Sequence, residues 1–393
     1  MKPVLAGAVG MPGHFHSLDS LRGLAALLVA VYHAHWVNAF HDLRFVQNAP
    51  LMVDVFFVLS GFVICYSYGS RLDSGLAYLR FMWARFGRVY PLHLAMLLVF
   101  GLFELSRLYR GLQPTHGDSI HSFVSNLFLV HSLGLHTSLS FNFPSWSVSV
   151  EFYTYALFGV VVLLAGVGKW RVATSAVLVT AGLLVLVWLA RMPTEHAGHD
   201  LGIFRCIAGF FTGVLTYHAY LALRQKAWAR GSVGRLVTLG AFVGFGVFES
   251  LRRPETLHGY LLLPLVALLI LGLTLTTSSR LSAVLTVKPL VWLGKVSYSI
   301  YMVHAAVLIL ATRFIKSVLH PDIVRLPGAD YTTLMTTPLQ GTLVLLGYLA
   351  GLLVVSQVTY SFIEEPFRLR SKRAAERRLV ARPQPPVTSP NEA

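Results

Sequence analysis

Charge is scarce in this chain. Of its 393 residues only 12% are Asp, Glu, Lys or Arg, against 55% hydrophobic, and the mean hydropathy is +0.63. A soluble domain is about one-quarter charged. So apolar a chain has too little polar surface to face water all round, and lipid is the solvent it requires. Cysteine is nearly absent too. Cys65 and Cys206 are the only two, both inside apolar runs, which excludes a disulfide framework and leaves them as packing groups. Residues 1–16 lack a continuous apolar core, so no removable signal peptide is evident and 21–40 reads as a retained first helix. Internal repeats and inverted pairs of broken helices, the marks of many transporters, are also missing.

What the sequence has instead is a succession of apolar runs. The clearest are 92–103, 156–167, 172–190, 260–274 and 341–355. With flanking residues and tilt, each suits the ~20 residues of a spanning helix. Adding 21–40, 51–68, 203–223, 237–248 and 291–309 gives an all-α, polytopic transmembrane helical bundle of about ten spanning helices. Runs this long are poor barrel strands. The shorter run 123–135 reads as interfacial or re-entrant.

The net charge of +15 has the distribution of a membrane protein. With ten helices and both termini cytoplasmic, 20 of the 32 Lys and Arg fall in cytoplasmic segments and 9 on the opposite side. That asymmetry is the positive-inside rule. A nucleic-acid partner is not expected, because no recognition fold accompanies the charge. Residues 1–13 read as a cytoplasmic N-terminal segment, 14–367 as one membrane domain, and 368–393 as a basic, disordered cytoplasmic tail in contact with anionic lipid.

Ionisable groups at membrane depth cost about 3 kcal/mol each and so point to function. The first helix, LDSLRGLAALLVAVYHAHW, holds Arg22 and His33 eleven residues apart. At 100° per residue this is within about 20° of three full turns, so the two share a face about 16 Å apart. Arg22 could instead snorkel to lipid phosphate, and His33 could simply bond a neighbouring helix. As a pair on one face they suggest a polar route ending at a general base. In LRFMWARFGRVYPL, Arg85 and Arg88 lie three apart on a helix. They suit bidentate phosphate contacts, or a positive-inside anchor. In PSWSVSVEFYTY, Ser147 and Glu151 are i,i+4 neighbours and Tyr155 extends the stripe. Glu151 could serve the site, or pair with Arg22 or a histidine as a strut, and Asp54, before FFVLSGF, has the same ambiguity. Ser297, Tyr301 and His304 share one side of VSYSIYMVH. Tyr301 reads as a packing group, and His304 lacks a charged partner nearby in sequence. The 16 histidines are scattered, and neither His14/His16 nor His33/His35 has a convincing ligand set, so no metal is expected.

Taken in order, Arg22-x10-His33, DVFFVLSGF (54–62), Arg85-x-x-Arg88-x-Tyr-Pro, SWSVSVEFY (145–153), SYSIYMVH (297–304) and Glu364-Glu365-Pro-Phe resemble the acyltransferase family 3 proteins, bacterial membrane-bound acyltransferases. The likeness spans about 350 residues of this sequence. It implies a multi-pass protein of the bacterial cytoplasmic (inner) membrane. The donor it implies is acyl-CoA, acetyl-CoA by default, and the acceptor a hydroxyl of a cell-surface or exported carbohydrate. It further implies His33 as the catalytic histidine, Arg22, Arg85 and Arg88 near the donor's phosphates, and Glu151 as a partner of the site. Members of that family often carry a fused extracytoplasmic SGNH domain; this sequence, ending at Ala393, shows none and is expected to act as a stand-alone module. Lacking a convincing serine or cysteine nucleophile, the chain is expected to transfer directly from thioester to hydroxyl. A glycan transporter or flippase, an inactive scaffold of an export complex, and other membrane O-acyltransferases are the competing readings. The H-x4-D spacing of His14 and Asp19 formally suits a glycerolipid acyltransferase, but nothing around it suggests that enzyme's soluble fold.

Overall fold

The computed structural model describes residues 14–193, 200–253, 256–325 and 332–380. Among these, nine helices are long and apolar enough to cross a membrane: Ala49–Tyr68, Gly75–Tyr109, Phe143–Ala165, Lys169–Leu189, Gly202–Leu223, Ser232–Leu251, Leu257–Leu275, Ser297–Val318 and Pro338–Ala375. They coincide with nine of the ten runs expected from sequence. The tenth, α1 (His16–Tyr32), has 17 residues, about 25 Å at 1.5 Å per residue. It is shorter than the run 21–40 because the chain leaves the helix after Tyr32. His35 O and Val37 N pair with Leu334, and the Trp36 indole donates to Gly341 O at 2.9 Å. Leu334 belongs to a small antiparallel hairpin, β1 (Asp322–Arg325) with β2 (Thr332–Met335). The short run 123–135 is indeed not a span. It forms the helix Ile120–Leu127, started by a Ser119/Ser122 capping box, and then an irregular stretch leading to Phe143.

Helices form here because lipid offers no partner to a free N–H or C=O, so each segment must satisfy its own backbone. Polar residues on these helices do the same with their side chains. Thr154 donates to Val150 O, Thr274 to Ile270 O and Ser356 to Leu352 O. Large apolar side chains point outward, Leu164 at 83% and Phe362 at 77% exposure, as a lipid-facing surface demands.

Two close crossings set the interior. The helix α2 (Met52–Tyr68) meets α5, here Gly202–Leu223, through Gly61 and Gly213. A Cβ at Gly61 would collide with the Phe210 carbonyl, and one at Gly213 with the Val58 carbonyl. Small residues permit this approach in membranes. The start of α1 packs likewise on the segment Lys288–Lys295, where Gly23 faces the Leu293–Gly294 backbone and Gly294 faces that of Asp19. For that labelling, α3 is Gly75–Tyr109 and α4 is Trp146–Ala165. Two further helices complete the site, α6 (Ser297–Phe314) and α7 (Pro338–Thr359).

One expectation is corrected. Residues 368–380 do not form a disordered tail, since Glu365–Val380 is a helix continuing from α7. Arg368 donates to both Glu365 carboxylate oxygens at 2.7 Å, and Ser371 packs on Gly87 of α3. Residues 1–13 and 381–393 lie outside the described residues.

Candidate functional site

A cleft of about 870 Å3 lies among α1, α2, α3, α4 and α6. Arg22, Ser60, Arg85, Arg88, Ser147, Glu151, Tyr155, Ser297, Tyr298 and Tyr301 contribute its polar lining, and Phe56 and Val148 part of its apolar wall. A wider vestibule of about 1720 Å3 shares Arg22, Arg85 and Arg88 with it. The three arginines therefore form a neck between the two spaces. The vestibule is also lined by Arg71, Lys295, Arg368 and Lys372, against the carboxylates of Asp19 and Glu365. Seven cations to two anions give it a positive potential that attracts anions. Residues from near both ends of the described chain line it, His14 and Lys372.

Arg22 projects from the first turns of α1 and is a quarter exposed, with only a long contact of 3.4 Å to Asp19. The α3 helix has 35 residues, about 52 Å at 1.5 Å per residue, longer than the ~30 Å hydrocarbon layer. Its first turns can therefore stand at the membrane surface and carry Arg85 and Arg88 to the neck. Arg85 lies over the Tyr68 ring, 5.2 Å from its centroid, and donates to the Tyr68 hydroxyl at 3.2 Å. It has no carboxylate partner among the described residues, and its Nε is buried without a hydrogen-bond partner. Arg88 differs. It pairs with the buried Glu364, which also accepts from Ser299 Oγ at 2.7 Å. The two arginines expected to act alike are thus unequal, one held by a carboxylate and one free for an anion. Glu364 appeared in the sequence only within the Glu-Glu-Pro-Phe motif. Its pairing spans 276 positions, so no local pattern could reveal it.

Deeper in the cleft, Glu151 accepts the Tyr155 hydroxyl proton at 2.7 Å, and Ser60 Oγ lies 3.1 Å from the same hydroxyl. Glu151 pairs with neither Arg22 nor a histidine. Ser147 Oγ donates to the Tyr301 hydroxyl at 3.0 Å, so Tyr301, expected only to pack, brings a polar group to the cleft. Asp54 is absent from the lining. It closes on Arg205 in a bidentate pair, 2.9 Å for each bond, while Arg205 also donates to Pro50 O and lies under Trp146. With both side chains at most 3% exposed, Asp54 is a structural strut. Cys65 and Cys206 are buried and free.

His33 stands apart from the cleft lining. Because α1 ends at Tyr32, its ring lies between Phe143 (4.9 Å between centroids) and His304 (5.0 Å). His304 in turn lies 5.8 Å from the Tyr301 ring, which borders the cleft. His33 Nδ1 is 2.8 Å from Val29 O. A carbonyl only accepts, so Nδ1 carries the hydrogen and Nε2 is left as the basic lone pair. The sequence placed Arg22 and His33 on one route, and the structure puts Arg22 on the neck and His33 beyond Tyr301.

At the vestibule rim, ligand atoms of His14, His16 and Asp19 come within 4.8 Å of one another. In the sequence His14 stands with His16 and, through the H-x4-D spacing, with Asp19; the fold brings all three together. The surrounding Arg22, Lys295, Arg368 and Lys372 oppose a cation there. What the trio holds well is a proton: the hydrogen bond to Asp19 raises the His14 pKa, while partial burial and the nearby cations pull it down.

A basic vestibule, an arginine neck and a polar cleft within a bundle of apolar helices mark a polytopic membrane protein with an internal polar site. Residues 15–361 match the family described as "Acyltransferase domain", and the chain belongs to that acyltransferase family. It is 28% identical over 402 residues to the acyltransferase MdmB of Streptomyces mycarofaciens, covering 96% of this chain and 95% of that protein. It is 26% identical over 374 residues to the peptidoglycan O-acetyltransferase OatA of Listeria monocytogenes, covering 90% of this chain but 55% of that protein. A putative peptidoglycan O-acetyltransferase of Bacillus subtilis, YrhL, is 26% identical over 396 residues, with 92% of this chain and 56% of that protein covered. The chain thus spans little more than half the length of these two peptidoglycan relatives. No solved structure matches it.

Proposed function

We propose that this protein moves an acyl group, acetyl by default, from acyl-CoA to a carbohydrate hydroxyl, as an O-acyltransferase of the bacterial cytoplasmic membrane with both termini cytoplasmic. The observation that carries the proposal is the arginine neck joining a cation-rich vestibule to a polar cleft. A CoA donor has a phosphate-bearing head and a long thin arm. The head suits the vestibule, where Arg85, Arg22 and Lys295 offer charge-assisted hydrogen bonds. The arm suits the cleft. The names of the Listeria and Bacillus relatives support an acetyl donor and a peptidoglycan-like acceptor.

On this reading the acyl end passes Tyr301 to reach His33 Nε2, which takes the acceptor's proton as its oxygen attacks the thioester carbon. The C–S bond breaks, and the leaving sulfur recovers the proton from His33. Glu151, held by Tyr155, and Ser147, held by Tyr301, are the polar groups that orient donor and acceptor.

Mass spectrometry of surface glycans from cells with and without the gene tests the function. An acyl increment present only with the gene is expected, and identical glycans together with no CoA release by the purified protein would overturn it. His33→Ala is expected to lower CoA release by about 10²–10⁴-fold with folding intact. An unchanged rate would remove His33 from the mechanism, and an acyl-Ser147 adduct trapped by mass spectrometry would replace direct transfer with a covalent enzyme.

A further inference from the structure

The meeting point of α1 and α6 holds two imidazoles with the same internal arrangement. His33 Nδ1 lies 2.8 Å from Val29 O, and His304 Nδ1 lies 2.7 Å from Tyr301 O. Since a carbonyl can only accept, both rings carry their hydrogen on Nδ1, and in both neutral rings Nε2 is a lone pair. His304 is fully buried and its Nε2 has no hydrogen-bond partner. The ring centroids are 5.0 Å apart and the planes tilted by 36°. While neutral, each ring offers only an acceptor at Nε2, so neither can satisfy the other. A single added proton would satisfy both.

We propose that His304 is a positioning residue for the reaction, the partner that shares the proton His33 takes from the acceptor hydroxyl. The inference rests on the acyl-transfer reading with His33 as base. In the step, the acceptor O–H bond breaks and its proton goes to His33 Nε2. The oxygen's electron pair forms the C–O bond at the thioester carbon, the C–S bond breaks, and the sulfur leaves with its electron pair. While the imidazolium lasts, His33 Nε2–H donates to His304 Nε2. The proton then passes to the sulfur, giving the thiol, and both rings return to neutral. His304 keeps its Nδ1–H bond to its own helix throughout, which leaves its Nε2 as the acceptor for His33.

Of the imidazoles around His33, His304 lies nearer by ring centroid, 5.0 Å against 6.2 Å for His35. The ionisable neighbours are His35, 6.2 Å from His33, Tyr32 at 5.0 Å, Tyr301 at 5.8 Å from His304, and Tyr348, whose hydroxyl lies 3.5 Å from the His304 carbonyl. No ion pair involves either histidine among the described residues.

The test uses host membranes in which the full chain, or a variant, replaces the deleted gene, so that the native acceptor is present, and reads CoA release from acetyl-CoA. His304→Asn keeps an N–H for Tyr301 O and an acceptor oxygen but cannot take up a proton. It is expected to lower kcat by about 10- to 100-fold, with the KM for acetyl-CoA unchanged and the acid limb of the pH–rate profile displaced to lower pH. The double variant with His33→Ala is expected to be no slower than His33→Ala alone. A His304→Asn protein with the wild-type rate and profile, beside an inactive His33→Ala, would overturn the proton-sharing role and leave the base in place. Full activity in His33→Ala would overturn the base itself. Should His304→Asn fail to accumulate folded, ¹⁵N-histidine NMR of the wild-type protein on acidification decides. Two rings responding together to one proton support the pair, and a response from one ring alone overturns it.

Discussion

Two sets of charge lie inside this bundle, and they behave oppositely. At the α2–α5 crossing, Asp54 and Arg205 close on each other through two bonds, and the second Nη2 hydrogen of Arg205 goes to Pro50 O. At the neck, Arg22 has a 3.4 Å contact to Asp19 and Arg85 has a tyrosine, with no carboxylate tightly against either. A buried charge that is fully paired holds helices together. One held loosely at the edge of a cavity is available to a ligand. Ionisable residues in apolar runs are therefore separated into strut and site by their partners, not by their depth.

Breaking the strut should have the largest effect. Arg205→Leu takes from the buried Asp54 its bidentate partner, which costs about 3–5 kcal/mol. Thermal unfolding in detergent should show a strongly destabilised protein, and Asp54→Leu combined with Arg205→Leu should recover much of the loss. If the single variant is as stable as wild type, Asp54 is not a strut. Arg88 stands between the two kinds, lining the neck yet paired with Glu364. Arg88→Gln should lower stability by about 1–3 kcal/mol, because Glu364 loses a buried partner, and should weaken donor binding as well. A pure binding defect would mean that the pair contributes nothing to folding.

The smallest effect belongs to the vestibule rim. The Asp19 hydrogen bond raises the His14 pKa, so the folded protein holds this proton more tightly than the unfolded chain does. The stabilisation is complete below the usual histidine range, near ~6.5, and fades as pH climbs through the raised value. His14 is more than half exposed, so the gain is small. His14→Asn should flatten the slope of melting temperature against pH from ~6 to ~8, and an unchanged slope would remove His14 from the linkage.

The sequence made legible what depends on one segment at a time. Apolar runs located nine spans, and the i,i+4 stripe brought Ser147, Glu151 and Tyr155 to one cleft. It could not show where α1 stops, because that end is fixed by Leu334 and Gly341, some three hundred residues away. Nor could it show that Asp54 belongs to Arg205 or Arg88 to Glu364, since those partners meet only when helices pack. The helix after Glu365 was missed for a different reason. Its composition is that of a solvated tail, and its order comes from an i,i+3 ion pair and a contact on Gly87.

The central claim is that the neck is open to an anion. Calorimetric titration of CoA into the protein and into Arg85→Gln, both in lipid nanodiscs, tests it most directly. The account predicts salt-sensitive binding to the wild type and affinity about 10-fold or more weaker in Arg85→Gln, with the unfolding temperature unchanged. Equal affinity for CoA in the two proteins, or an Arg85→Gln protein destabilised like Arg205→Leu, would contradict it.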